Sequence, residues 1–153
     1  MRSIDEWLSA YGRDHTNPTN IKIHKFCVPF ILFSVLSLIW AIPTPNLFDV
    51  TKPFPLNFST IFVFGCLLFY FFLDKFFFFL MTIVALICFT IIYFWSQKDH
   101  FLSANIIIFI LAWIGQFIGH KIEGQRPSFF EDLQFLLIGP LWVLKDVKSI
   151  LKK

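Results

Sequence analysis

Four long runs of apolar residues, none of which contains Asp, Glu, Lys or Arg, constrain this chain more than any other feature. A transmembrane helix needs about 20 predominantly apolar residues, with a range of roughly 17–25. Asp74-Lys75 alone separates the second run from the third, which predicts a tight helical hairpin. The sequence therefore predicts an all-α integral membrane protein with about four transmembrane helices in a bundle. The runs are Phe26–Ile42, Leu56–Leu73, Phe76–Trp95 and Phe101–Ile118.

The composition excludes a soluble globular protein. Hydrophobic residues make up 57% of the chain and charged residues 15%, whereas soluble domains carry roughly 25% charged residues. The 23 phenylalanines exceed what a soluble surface of this size can hide. The net charge of +3 indicates orientation in a membrane and argues against nucleic-acid binding. We expect a single membrane domain over residues 1–153, in contact with lipids and with no nucleic-acid partner.

The distribution of basic residues predicts the orientation. With four spans, both termini and the Asp74-Lys75 turn share one side, and 11 of the 13 Lys and Arg residues lie there. By the positive-inside rule that side is the cytoplasm. No pattern typical of a cleavable signal peptide precedes the first run, so the first span is expected to remain as an anchor. The membrane is then a bacterial inner membrane or, in a eukaryote, the endoplasmic reticulum.

The polar ends carry their own helix signals. Ser3 and Glu6 have the spacing of a capping box, which predicts a short helix ending near Gly12 within the cytoplasmic segment 1–25. Asn20 is a candidate N-cap for the first long helix. In the cytoplasmic or interfacial segment 119–153, the apolar stretch Leu133–Leu144 is too short to span and is broken by Gly139-Pro140. We expect it to lie in the membrane interface, or to dip into the membrane and return.

Three of the four histidines fall on the predicted cytoplasmic side. His15 and His24 precede the first span and His120 follows the fourth, whereas His100 lies on the opposite side. In an up-and-down bundle the start of the first span and the end of the fourth are neighbours at similar depth. Three converging imidazoles suit Fe(II) or Zn(II), and Glu123 lies on the same helical face as His120. The alternative is that each histidine is simply interfacial or hydrogen-bonded, which is the commoner state.

Other polar and aromatic residues need no functional explanation. Gln116 and Asn105 in the fourth span are expected to form interhelical hydrogen bonds. Trp142, near a predicted boundary, is typical of an aromatic-belt anchor. The three cysteines are read as small buried hydrophobes, with no disulfide framework and no zinc site: Cys27, Cys66 and Cys88.

Two motifs surround the three histidines. The first reads Tyr11-Gly12-Arg13-Asp14-His15-Thr16-Asn17-Pro18-Thr19-Asn20 and continues to His24 and Val28-Pro29. The second reads Gln116-Phe117-Ile118-Gly119-His120 and continues to Glu123, Arg126-Pro127 and Pro140. Together they resemble the small membrane 2-hydroxy fatty acid dioxygenases, the fungal alpha-oxidation enzyme and its bacterial relatives. The motifs cover roughly a third of the chain, and between them it matches only in being apolar.

The resemblance implies an Fe(II)-dependent oxygenase that uses O2 to convert a 2-hydroxy fatty acid into a fatty acid one carbon shorter. It implies that His15, His24 and His120 are the metal ligands and the catalytic residues. Fe(II) prefers six ligands, so three histidines leave positions for a chelating 2-hydroxy acid and for O2. A site at the membrane face also suits a substrate with a polar head and an apolar chain.

The resemblance also suggests supporting residues. Arg126 is expected to pair with the substrate carboxylate. Glu123 follows His120 by one residue fewer than in the fungal enzyme, which favours a supporting role over direct ligation. Tyr11 and Asn20 are expected to hold the ligand histidines or the bound oxygen.

Two rival functions remain open on the sequence. One is a b-type haem protein with His24 and His120 as axial ligands. The other is a non-catalytic membrane scaffold or lipid-binding protein with interfacial histidines. The multi-histidine di-iron desaturases are excluded because four histidines are too few. Substrate chain length and oligomeric state cannot be read from the sequence.

Overall fold

The computed structural model describes residues 3–13, 15–44, 56–124 and 135–150. Within these ranges the chain forms helices and no strands, which confirms the all-α class. Six helices follow one another along the described chain: α1 Ile4–Arg13, α2 Pro18–Trp40, α3 Phe58–Leu73, α4 Lys75–Trp95, α5 Phe101–Glu123 and α6 Ile138–Ile150.

Three of these helices, α2, α4 and α5, are long and apolar enough to cross a membrane. The remaining apolar helix, α3, has 16 residues and measures about 24 Å at 1.5 Å per residue. That length is short of the roughly 30 Å hydrocarbon core, so the fourth span stays a prediction. Large apolar side chains remain exposed on these helices, including Phe72 at 72% and Phe94 at 66%. Such surfaces suit contact with lipid.

The helix starts follow local capping chemistry. The capping box at Ser3 is confirmed, because its backbone N–H donates to Glu6 at 2.6 Å and its hydroxyl accepts from the Glu6 N–H. The expectation for Asn20 is wrong. Helix α2 begins earlier, at Pro18, and the Asn17 side chain accepts from the Thr19 N–H at 2.9 Å. Proline is favoured in the first helical position, since its missing N–H and fixed φ cost nothing there.

The predicted hairpin between α3 and α4 is confirmed. Asp74 is the single residue between the two helices, and α3 packs against α4. The Asp74 carboxylate accepts from the Phe77 N–H at 3.1 Å, while its own N–H donates to the Tyr70 carbonyl at 2.9 Å. One residue therefore caps both helices. Helix α5 ends at Glu123, and the residue that follows it, Gly124, has a φ of 79°, which glycine adopts without strain.

The chain divides into two compact units, Met1–Leu32 with Phe109–Lys153, and Phe33–Ile108. The first unit contains α1, the beginning of α2, the end of α5, and α6, and within it α1 packs against α6. Gly139-Pro140, which was expected to interrupt the apolar stretch Leu133–Leu144, lies in the first turn of α6 and the helix continues through it. Proline is tolerated there because no intrahelical hydrogen bond is lost.

Candidate metal centre

Three histidines come together in the first unit. His15 lies between α1 and α2, His24 in the second turn of α2, and His120 in the last turn of α5. One ring nitrogen from each lies within 4.8 Å of the others, and all three side chains are buried. Their ring centroids are 4.2 Å, 4.9 Å and 5.7 Å apart. The proximity that topology predicted is therefore present.

Backbone carbonyls orient two of these rings. The Nδ1 atom of His15 lies 2.7 Å from the Tyr11 carbonyl oxygen, and that of His24 lies 3.1 Å from the Asn20 carbonyl oxygen. A carbonyl can only accept, so Nδ1 is the protonated nitrogen in both rings. The Nε2 lone pair is then the one that a metal can use. This is the usual way in which an outer hydrogen bond fixes the tautomer and direction of a ligand histidine.

Aromatic rings enclose His15. Tyr11 stacks on it with centroids 4.4 Å apart and planes 4° from parallel. The centroid of the Trp142 ring lies 5.4 Å from that of the His15 ring and 5.3 Å from that of the Tyr11 ring. Trp142 is only 2% exposed, which differs from the belt anchor that its position suggested. It brings α6 to the site, and nothing in the spacing of the sequence indicated that contact.

Glu123 fastens the end of α5 to the segment that carries His15. Its carboxylate accepts from the Thr16 N–H at 2.8 Å, the Asn17 N–H at 2.9 Å and the Asn20 side-chain amide at 2.9 Å. It lies beyond the apolar run that ends at Ile118. Partial burial raises the pKa of Glu123, but the donated hydrogen bonds outweigh that effect and lower the pKa to about 2. The carboxylate is therefore ionised at neutral pH, and it accepts from the last two residues of the link between α1 and α2 and from Asn20 on α2.

Two glycines bring α5 close to α2 at the histidines. A Cβ atom on Gly119 would collide with the Asn20 side-chain oxygen and lie 3.3 Å from Cε1 of His24. A Cβ atom on Gly115 would lie 2.6 Å from the Cys27 sulfur. Gly115 and Gly119 form the small-xxx-small spacing that permits close helix contact in membranes. That spacing is the signal in the sequence from which the close contact of α5 with α2 could have been predicted.

The donor set fits a borderline divalent metal. Three buried imidazoles suit Fe, Zn, Cu or Ni, whereas Mg and Ca prefer oxygen ligands. In His15 and His24 the Nδ1 atom is hydrogen-bonded to a backbone carbonyl, as is usual for histidines that bind a metal through Nε2. The group contains no carboxylate among the described residues, because Glu123 is engaged with the α1–α2 link.

Two other sequence predictions concern Arg126 and His100. Arg126, the expected partner of the substrate carboxylate, lies outside the described residues. His100 is exposed and its Nε2 accepts a hydrogen bond from the Trp95 indole at 3.2 Å.

Comparison with known proteins identifies one family. The model of the family described as "Mpo1-like: 2-hydroxy-palmitic acid dioxygenase Mpo1-like" matches residues 1–150. The 2-hydroxy-palmitic acid dioxygenase MPO1 of Saccharomyces cerevisiae is 29% identical over 139 residues, which cover 90% of this chain and 75% of the yeast protein. No solved structure matches significantly.

Proposed function

The chain belongs to the Mpo1-like family, and from this premise we propose that it is an Fe(II)-dependent 2-hydroxy fatty acid dioxygenase. It uses O2 to convert its substrate into a fatty acid one carbon shorter. The observation that carries the proposal is the buried cluster of His15, His24 and His120, whose ring nitrogens lie within 4.8 Å of one another. Both family resemblance and donor chemistry point to these three residues.

The reaction balances without a further reductant. A 2-hydroxy acid and one O2 give the shorter acid, CO2 and water, and the bond between C1 and C2 breaks. All four electrons taken up by O2 come from the substrate. No second redox partner is needed, which suits a small chain whose only candidate metal ligands in the described residues are three histidines.

The three histidines would hold the metal through Nε2 of His15 and His24 and a ring nitrogen of His120. When bound, Fe(II) supplies the O2 chemistry that side chains lack. The protein supplies rigid ligands, because the carbonyls of Tyr11 and Asn20 keep the proton on Nδ1 of two rings. Tyr11 also stacks on His15 and keeps water from that face.

Glu123 acts in this proposal as a positioning residue. It holds Thr16, Asn17 and the Asn20 amide, so it fixes the distance from His120 on α5 to His15 in the α1–α2 link and to His24 on α2. Arg126 pairs with the substrate carboxylate, as the family motif suggests. The polar head of the substrate then meets the metal at the cytoplasmic face while its chain stays among apolar helices.

Ring packing makes the haem alternative less suitable. Two axial histidines need the space between them to be free for the porphyrin. The ring centroid of His15, however, lies 4.2 Å from that of His24 and 5.7 Å from that of His120. A third imidazole thus occupies space next to both candidate axial ligands. The scaffold alternative leaves the convergence of three buried ring nitrogens without a role.

A turnover assay on the full chain tests the proposal. Metal-free protein in detergent or vesicles is loaded with Fe(II) and given 2-hydroxypalmitate under air or under nitrogen. We expect pentadecanoate only with both Fe(II) and air. Iron-loaded protein that forms no shorter acid from any 2-hydroxy acid would contradict the proposal, and a Soret band in the purified protein would establish the haem alternative instead.

A further inference from the structure

A small cavity lies next to the histidine cluster in the same compact unit. It has a volume of about 30 Å³. Tyr11, which stacks on His15, forms part of its wall. Its wall also includes Val28, Ile31, Trp113, Gln116 and Gly139.

Helical spacing places the wall of this cavity on the same helix faces as two of the histidines. Val28 and Ile31 lie four and seven residues after His24 on α2. On α5, Gln116 and Trp113 lie four and seven residues before His120. Residues three, four and seven apart share one helix face. The cavity therefore follows the same two faces that present His24 and His120, and it runs away from the metal ligands towards the apolar interior.

The walls are chemically suited to an alkyl chain. Val28 and Ile31 are buried aliphatic residues, and Gln116 is the sole amide in the wall. No charged side chain is among the wall residues. A polar head held at the histidines would therefore extend an apolar segment into this space.

The size of the cavity implies a shape requirement. A volume near 30 Å³ is about twice the roughly 10–15 Å³ that one water molecule needs on this measure, so the cavity has room for about two methylene-sized groups in a row. Extra methyl groups in a closely packed space force rearrangement, which is unfavourable. An unbranched chain meets this requirement and a methyl branch does not.

We propose that this cavity receives the alkyl segment next to the reacting carbons and makes the protein selective for unbranched 2-hydroxy fatty acids. The inference rests on the proposed function and adds the substrate class. Val28 and Gly139 are the specificity-determining positions. A Cβ atom on Gly139 would lie 3.3 Å from the Tyr11 hydroxyl and 3.4 Å from Cγ1 of Val28, so the missing side chain keeps the passage open.

The test compares 2-hydroxypalmitate with its 3-methyl analogue in the full iron-loaded chain. We expect Val28→Ala to raise the ratio of kcat/KM for the branched over the straight substrate by about tenfold, because two methyl groups are removed from the wall. Gly139→Ala narrows the space and should lower kcat/KM for both. Val35→Ala on α2 and Gly65→Ala on α3, where a Cβ atom meets nothing within 4 Å, are the matched controls.

A binding readout separates this inference from the proposed function. Metal-free protein is photolabelled with a 2-hydroxy fatty acid that carries a diazirine at C4, and the label is mapped by mass spectrometry. Labelling near Val28 and Gly139 that 2-hydroxypalmitate displaces supports the cavity, even if no variant turns over. Turnover by the parent together with an unchanged branched-to-straight ratio in Val28→Ala, or labelling confined to other helices, would overturn it.

Discussion

At the scale of single residues, the orientation of the imidazoles depends on groups that are not themselves in the cluster. Two backbone carbonyls, of Tyr11 and Asn20, set the direction of His15 and His24. Glu123 in turn holds the backbone between these histidines through Thr16 and Asn17. A change in this outer layer should therefore weaken metal binding without removing a ligand.

Glu123→Gln is the corresponding prediction. Every group that Glu123 contacts at Thr16, Asn17 and Asn20 is a donor, and a glutamine side chain offers only one acceptor oxygen. We expect Fe(II) affinity to fall roughly 10–100-fold, as for other outer partners of metal ligands. Isothermal titration with the metal-free protein measures this change.

The exposed residue Asp99 provides the control, and Asp99→Asn should bind like the parent. Complete loss of Fe(II) from a folded Glu123→Gln protein would instead mean that the carboxylate is a direct ligand.

At the scale of helices, the site depends on how closely α5 approaches α2. Gly119 faces the Asn20 side-chain oxygen and Cε1 of His24, so a methyl group there must displace the Asn20 side chain, press on His24 or separate the two helices. We expect Gly119→Ala to lose Fe(II) binding and to cost about 1–3 kcal/mol of stability, as overpacked sites do. Thermal unfolding in detergent and iron content are the two measurements.

Gly65→Ala adds the same methyl group to an open position on α3 and should change neither quantity. If Gly119→Ala bound iron as tightly as the parent, the close contact between α5 and α2 would have no role in the site.

What the sequence predicts differs between these helices. The histidines and the Asp74 turn could be predicted because motifs, apolar runs and short-range capping depend on neighbours along the chain. The start of α2 at Asn17-Pro18 was missed because both Asn17 and Asn20 are good caps, and Pro18 decides between them. The contact of Trp142 with His15 depends on tertiary packing of α6, which residue spacing does not encode.

At the scale of the whole molecule, orientation in the membrane follows from charge. With 11 of 13 basic residues on one predicted side, we expect both termini in the cytoplasm. A membrane-impermeant maleimide applied from the outside should label Gln97→Cys, in the turn after α4, and should leave Arg2→Cys and Lys152→Cys unlabelled until the membrane is permeabilised. The parent, whose cysteines are buried or half-buried, gives the background. Efficient labelling of both termini from outside would reverse the orientation.

The central claim is that His15, His24 and His120 together bind one Fe(II), and iron content per chain tests it most directly. His15→Ala, His24→Ala and His120→Ala are purified from the membrane fraction beside His100→Ala, loaded with Fe(II) and analysed for metal. We predict one iron in the parent and in His100→Ala, and loss of iron and turnover in the other three, which remain in the membrane because their apolar helices are unchanged. Retention of iron by His15→Ala together with its loss from His100→Ala would contradict the account.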